Sequence, residues 1–288
     1  MLKVDPFEIY SVVTGSIRLD GGAMFGVVPK VLWERVNDVD DLNRILLATR
    51  TLLAVDRRRG RVVLVDTGCG TKWAPDMAER FGVRFDPDAI PHALKAIGLS
   101  TSDVTDVVAT HLHFDHAGGM TYWYDEPEGP TRLHFPQARH WVHRAQWEHA
   151  HNPHPKDRAS FLAEDFAELA GRENLNLVEG TGFCPAFDGV EWFVSSGHTP
   201  GQLHPVFGAP RERLVWAGDL CPTVAHLRLA WVMAYDMEPV STIREKEIVM
   251  RRCIDEGWSV AFPHDPKVGG VALDGPVDRP VVARALPL

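Results

Sequence analysis

Residues 111–116 read HLHFDH, which crowds three histidines and an aspartate onto the end of an apolar, β-branched stretch, VTDVVATH (104–111). The stretch predicts a buried strand, and rigid strand ends hold the side chains of the loops that leave them around a common point. His111 and His113 are two positions apart, so an extended segment turns both to one side, where they can grip one metal. Asp115 continues that parity, and His116 falls after the turn, free to reach a neighbouring metal. Four ligands in one loop can thus serve two ions roughly 3.5–4 Å apart, the separation of two-metal hydrolytic sites.

Six residues cannot complete two coordination shells, and the chain repeats the same scheme elsewhere. VEWFVSSGH (190–198), RLVWAGD (213–219) and SVAFPHD (259–265) are each an apolar strand leading to a candidate ligand: His198, Asp219 and His264. Five histidines and two carboxylates form a mixed nitrogen and oxygen set suited first to zinc, and also to manganese, iron or cobalt. TLLAVD (51–56) and RVVLVD (61–66) predict a hairpin around an Arg/Gly turn. PHALKAIGL (91–99) has helical spacing, with Gly98 as its C-terminal cap. Thr242 and Glu245 fit a capping box opening an amphipathic helix of about four turns.

Composition excludes several classes. The 288 residues, 45% hydrophobic, suffice for a single large core, so one domain over 1–288 is expected. No early segment resembles an export signal and no apolar run is long enough for a membrane span, so a soluble, cytoplasmic protein is expected. Cys69, Cys184, Cys221 and Cys253 are scattered and read as reduced thiols, with Cys221 a small buried residue. A net charge of −9 argues against nucleic acid, and the run Arg57, Arg58, Arg59, Arg61 reads as a hairpin tip. His134, His140, His143, His149, His151 and His154 match no compact ligand pattern and are read as a polar surface.

HLHFDH followed by AGG, then GHTPG, AGD and PHD in that order, resembles the metallo-β-lactamase superfamily, and DTG at 66–68 matches an early motif of that family. The resemblance covers about residues 50–265. It implies an α/β (α+β) chain folded as a four-layer αββα sandwich, with a dinuclear metal site at one edge between the sheets. By carry-over His111, His113 and His198 would hold the first metal, Asp115, His116 and His264 the second, and Asp219 would bridge them. Asp66 would orient ligands or the bridging hydroxide, although DTG alone need be no more than a turn.

Among the subfamilies, no export signal supports a secreted β-lactamase, and no C-terminal extension supports a glyoxalase-type thioesterase. A tRNA-processing nuclease would call for a basic exosite or a large inserted domain, and a flavodiiron protein for a glutamate in the first motif and an appended flavin domain, so neither is expected. GGAMFGVVPKVLWERV (21–36) and DLCPTVAHLRLAWVMAYD (219–236) are similar to the YtnP-type members of the quorum-quenching lactonase branch, whose relatives hydrolyse organophosphates and aryl esters. The resemblance implies attack of a metal-bridging hydroxide on a small lactone, N-acyl-homoserine lactone type, or on an ester, with Asp115 a candidate proton donor. Met24, Phe25 and Trp33 would wall the acyl chain. His226 would face the leaving group or orient Asp219. The well-studied lactonases carry a tyrosine three residues after the bridging aspartate; here that position is Pro222, leaving Tyr235 or His226 to replace it. The alternatives are an organophosphate or aryl ester hydrolase, a phosphodiesterase, and a non-catalytic metal-binding sensor. Related lactonases often dimerise, so a homodimer is a candidate assembly.

Overall fold

The computed structural model describes residues 1–210 and 212–288. Strict alternation of side chains builds its two sheets. In the strand Arg44–Asp56, Leu52 and Ala54 point to one core cluster and Leu53 and Val55 to another; in Arg61–Val65, Val63 and Val65 oppose Val62 and Leu64 in the same way. A strand whose two faces are both apolar must be covered on both sides, which forces a layered architecture.

The first sheet runs in the order Leu2–Val4, Phe7–Asp20, Arg44–Asp56, Arg61–Val65, Asp106–Val108, Arg139–His143, Leu175–Val178, with Arg84–Phe85 joined to Phe7–Asp20. It is antiparallel up to Arg61–Val65 and parallel beyond it. The second sheet runs Gly182–Pro185, Val190–Ser195, Gln202–Phe207, Leu214–Trp216, Ser259–Ala261, Gly270–Asp274, Val281–Ala285, antiparallel except where Leu214–Trp216 meets Ser259–Ala261. Trp192, Phe207, Leu214 and Trp216 of the second sheet interleave with Phe7, Ile9, Leu52 and Val65 of the first. Helices Ala89–Ala96 and Arg144–His151 cover the outside of the first sheet, contributing Ile90, Leu94 and Ala150. Helix Pro239–Asp255 covers the outside of the second with Val249, Met250 and Cys253. This is the expected four-layer αββα sandwich. Among the described residues no helix is long and apolar enough to cross a membrane.

The hairpin at Arg57–Gly60 forms as expected, its arginines paired with Glu8, Asp5 and Asp56. Gly98, at φ +77°, ends helix Ala89–Ala96 in the left-handed conformation. The capping box does not form. Pro239 opens the long helix, its fixed φ suited to a first helical position. Thr242 therefore lies one turn inside, and Glu245 is released to accept the backbone N–H groups of Ser196 (2.8 Å) and Gly197 (2.9 Å). The helix thereby holds the loop that carries His198.

Candidate metal centre

Four loops leave strand ends at one edge of the sandwich and bring the seven predicted ligands together. The strand preceding HLHFDH stops at Val108, and Phe114–Ala117 turns into a short helix with His113 as its N-cap residue. Strand parity therefore ends before Asp115: a helical turn, not an extended chain, places Asp115 and His116. Two glycine-bearing motifs fix this turn against the loop after Arg61–Val65. A Cβ on Gly118 would lie 2.2 Å from the Cys69 carbonyl oxygen, and one on Gly119 would lie 2.3 Å from that of Thr67. AGG and DTGCG thus pack backbone to backbone, which sets Asp66 beneath the histidines.

The ligand atoms form overlapping triads: His111, His113 and His198; Asp115, His116 and His264; and His111, His116 and Asp219. Asp219 stands between the first two, its Oδ2 3.4 Å from His198 Nε2 and its Oδ1 3.2 Å and 3.1 Å from the Nε2 atoms of His116 and His264. All of these groups are buried apart from Asp115, which is partly exposed.

Hydrogen bonds on the far side of each ring fix where the lone pairs point. His116 Nδ1 donates to Asp66 (3.0 Å), His198 Nδ1 to Asp236 (2.9 Å) and His264 Nδ1 to the Ala48 carbonyl (2.8 Å). Thr110 gives its hydroxyl proton to Asp66, so the hydroxyl accepts from His111 Nδ1 at 3.0 Å. Each Nε2 is thereby directed inward, where it can offer a lone pair to a cation once it has shed any proton. His116 Nε2 and His264 Nε2 then face each other at 3.0 Å, and His198 Nε2 faces His113 Nδ1 at 3.2 Å. Among the described residues, the buried His111 Nε2 and Asp219 Oδ1 have no hydrogen-bond partner. Converging lone pairs in a buried site repel unless positive charge lies between them. The donor set therefore fits divalent cations, and N/O chemistry of this kind suits zinc-like metals.

The field in the site has the same sense. Burial opposes charge on His116, but Asp219, Asp115 and Asp66 outweigh it and hold the imidazole well above its usual range, so the carboxylates draw in a positive charge, and a cation would take the place of the Nε2 proton. Burial also opposes ionisation of Asp219, yet His116 and His264 hold it well below the normal carboxylate range. His111 and His113, desolvated and beside other imidazoles, are pushed well below theirs and stay neutral, the form in which an imidazole can ligate a metal. Asp66 accepts at once from Thr110, His116 and Trp216 Nε1, and the backbone holds it at φ +59°.

A cleft of about 180 Å³ opens onto this cluster, lined by Leu19, Met24, Phe114, Met233 and Tyr235 beside Asp115, His198, Asp219 and His264. Met24 and Tyr235, two of the residues named as substrate contacts, line this cleft. Phe25 and Trp33 are not: Phe25 is stacked between Trp33 (5.5 Å) and His226 (4.6 Å), and both are buried behind the wall. His226 neither lines the cleft nor bonds Asp219, because Thr223 Oγ1 (2.8 Å) and the Met24 carbonyl (2.8 Å) engage its two ring nitrogens. Burial pushes it down to about 3. Burial, followed by Asp20 and Asp115, pushes Tyr235 up to about 12, so the phenol keeps its proton. The six histidines of 134–154 join none of the triads; His149, for example, bonds Asp157 at 2.7 Å. Asp236, Thr110, Trp216 and Lys156 were not singled out by sequence. Asp236 ends the stretch 219–236, but a lone aspartate in a loop gives no signal of its partner.

The family description "Metallo-beta-lactamase superfamily" matches residues 50–255. An N-acyl homoserine lactonase, AttM, of Azorhizobium caulinodans is 26% identical over 176 residues, 60% of this chain and 62% of that protein; the match thus spans less than two thirds of the relative's length. The solved structure of a probable metal-dependent hydrolase from Staphylococcus aureus superposes with a TM-score of 0.85 at 27% identity, covering 99% of this chain and 100% of that one. AidC, a dizinc quorum-quenching lactonase solved with its product, superposes at 0.76 with 18% identity over 100% and 96% of the two chains, a likeness of fold. With over two thirds of its length inside the family match, and with the ligand loops at one sandwich edge, the chain belongs to the metallo-beta-lactamase superfamily.

Proposed function

We propose that the protein is a dinuclear metal-dependent hydrolase that opens small lactones of the N-acyl-homoserine type. The observation that carries this reading is the bridging position of Asp219, with one oxygen toward His198 and the other toward His116 and His264. His111, His113 and His198 would hold one cation, Asp115, His116 and His264 the other, and zinc is the first candidate. Such a pair supplies a water that is nucleophilic at neutral pH and polarises the oxygen of the bond under attack.

The chain's own residues supply the remainder. Met24, Leu19, Leu47, Phe114 and Met233 take the acyl portion and exclude water from the reacting centre. Tyr235, still protonated, is the cleft's phenolic donor for the substrate carbonyl, taking the role that Pro222 cannot fill. Asp115, partly exposed, would return a proton to the departing alkoxide. The lactonase names of AttM and AidC support the lactone class. The aromatic lining by Phe81, Phe114 and Tyr235 favours aryl esters or aryl phosphotriesters as the second reading.

The test is proton release on N-acyl-homoserine lactones beside paraoxon and an aryl acetate, with and without prior chelation. Lactone opening that is lost with the metal and restored by zinc is expected. Turnover of paraoxon or aryl acetate alone would shift the substrate to the second reading, and hydrolysis indifferent to chelation would overturn the metal-dependent one.

A further inference from the structure

One segment outside the ligand loops touches both sides of the cleft. Lys156 Nζ donates to the carbonyls of Ala234 (2.9 Å), Tyr235 (3.1 Å) and Asp236. An ammonium has three protons, and three carbonyls take them, so Lys156 fastens this turn and has no proton left for substrate. Ala159 and Ser160 follow along the cleft wall. Phe161 then packs edge-on against His113, ring centres 4.6 Å apart. At the other end, Asp236 accepts from His198 Nδ1. A strap from Lys156 to Phe161 thus joins the supports of His113 and His198, whose ring nitrogens face each other at 3.2 Å.

The strap encloses little space. The cleft of about 180 Å³ is well below the roughly 300–1,000 Å³ of pockets that take drug-sized ligands. Its walls are apolar side chains on short, tied loops, so added acyl length has to displace the strap. We propose that Lys156 is a specificity-determining and positioning residue, latching this strap so that the enzyme selects compact substrates, with short acyl chains or a single small ring. The inference rests on the hydrolase reading above. Lys156 is itself exposed, so its replacement leaves no hole in a core.

The test compares the metal-loaded wild type with Lys156→Met and Lys156→Arg on lactones from butanoyl to dodecanoyl, and follows backbone hydrogen exchange over residues 233–237 in the metal-free proteins. The wild type is expected to favour butanoyl. Lys156→Met should raise the dodecanoyl to butanoyl ratio of kcat/KM by about tenfold and speed exchange over 233–237, and Lys156→Arg should restore part of both. A wild type indifferent to chain length, or a Lys156→Met protein with unchanged ratio and unchanged exchange, would overturn the latch. If the wild type turned over no lactone or ester, the hydrolase reading would fail separately, and the exchange comparison would still decide whether Lys156 fastens the turn.

Discussion

Asp236 has no direct claim on a metal, yet it sets the tautomer of His198 and so the direction of the Nε2 lone pair. Outer carboxylates of this kind raise ligand basicity, and losing one typically costs about 10–100-fold in metal affinity. Asp236→Asn is therefore expected to weaken binding at the His111, His113, His198 triad by that factor, read by competition with a chromogenic chelator, with the far-ultraviolet spectrum unchanged. Equal affinity in the two proteins would show that His198 needs no such partner. Tyr235 makes a separate prediction. If its hydroxyl donates to the carbonyl oxygen as charge develops there, Tyr235→Phe should lower kcat by about 10²-fold with little change in KM. A rise in KM alone would make Tyr235 a wall residue. At this scale the sequence was legible where several ligand types sat at recognisable spacing, as in HLHFDH. It was opaque for Asp236 and Lys156, whose partners lie 38 and 78–80 positions away.

At the scale of elements, the loop 224–236 is held from below by the long helix. Lys246, buried in that helix, donates to the carbonyls of His226 (3.0 Å), Arg228 (3.1 Å) and Trp231 (2.7 Å). Lys246→Met would leave these acceptors without their donor, at about 1–3 kcal/mol for each that stays dry. An overall loss of about 3 kcal/mol in denaturant unfolding is expected; a loss under about 1 kcal/mol would mean that water enters and satisfies them. His226 joins the same loop to helix Gly21–Phe25 and makes stability depend on pH. Its folded pKa of about 3 lies below the ordinary 6.5, so on acidification the unfolded chain takes up the proton first. Stability should thus fall as pH drops from about 6.5 toward 3, at about 1.4 kcal/mol per unit for this group. The His226→Gln protein should show a shallower fall between pH 6 and 4.5, and parallel curves would contradict a buried neutral imidazole. Strands announced themselves through alternation, and the loop clamps did not. The Thr242 and Glu245 spacing suggested a cap because spacing alone cannot show that Glu245 finds better donors at Ser196 and Gly197.

Across the whole molecule, the candidate ligands come from four loops spread over residues 111–264, and neither sheet contains all of them. The sandwich exists to bring those strand ends to one edge. The αββα order was readable because the ligand motifs follow one another in the family's sequence, whereas the position of Phe25 and Trp33 behind the wall depended on packing that a linear pattern does not encode. Because the cations would bind the folded chain and not the unfolded one, their removal should also lower Tm, by a margin that grows with metal concentration over Kd. The central claim is that Asp219 unites two metal sites, and native mass spectrometry of the zinc-reconstituted protein tests it most directly. Two zinc ions per chain in the wild type, falling to one or none in Asp219→Ala, is the predicted result. A single ion in the wild type, or two ions retained by Asp219→Ala, would contradict the bridged dinuclear centre.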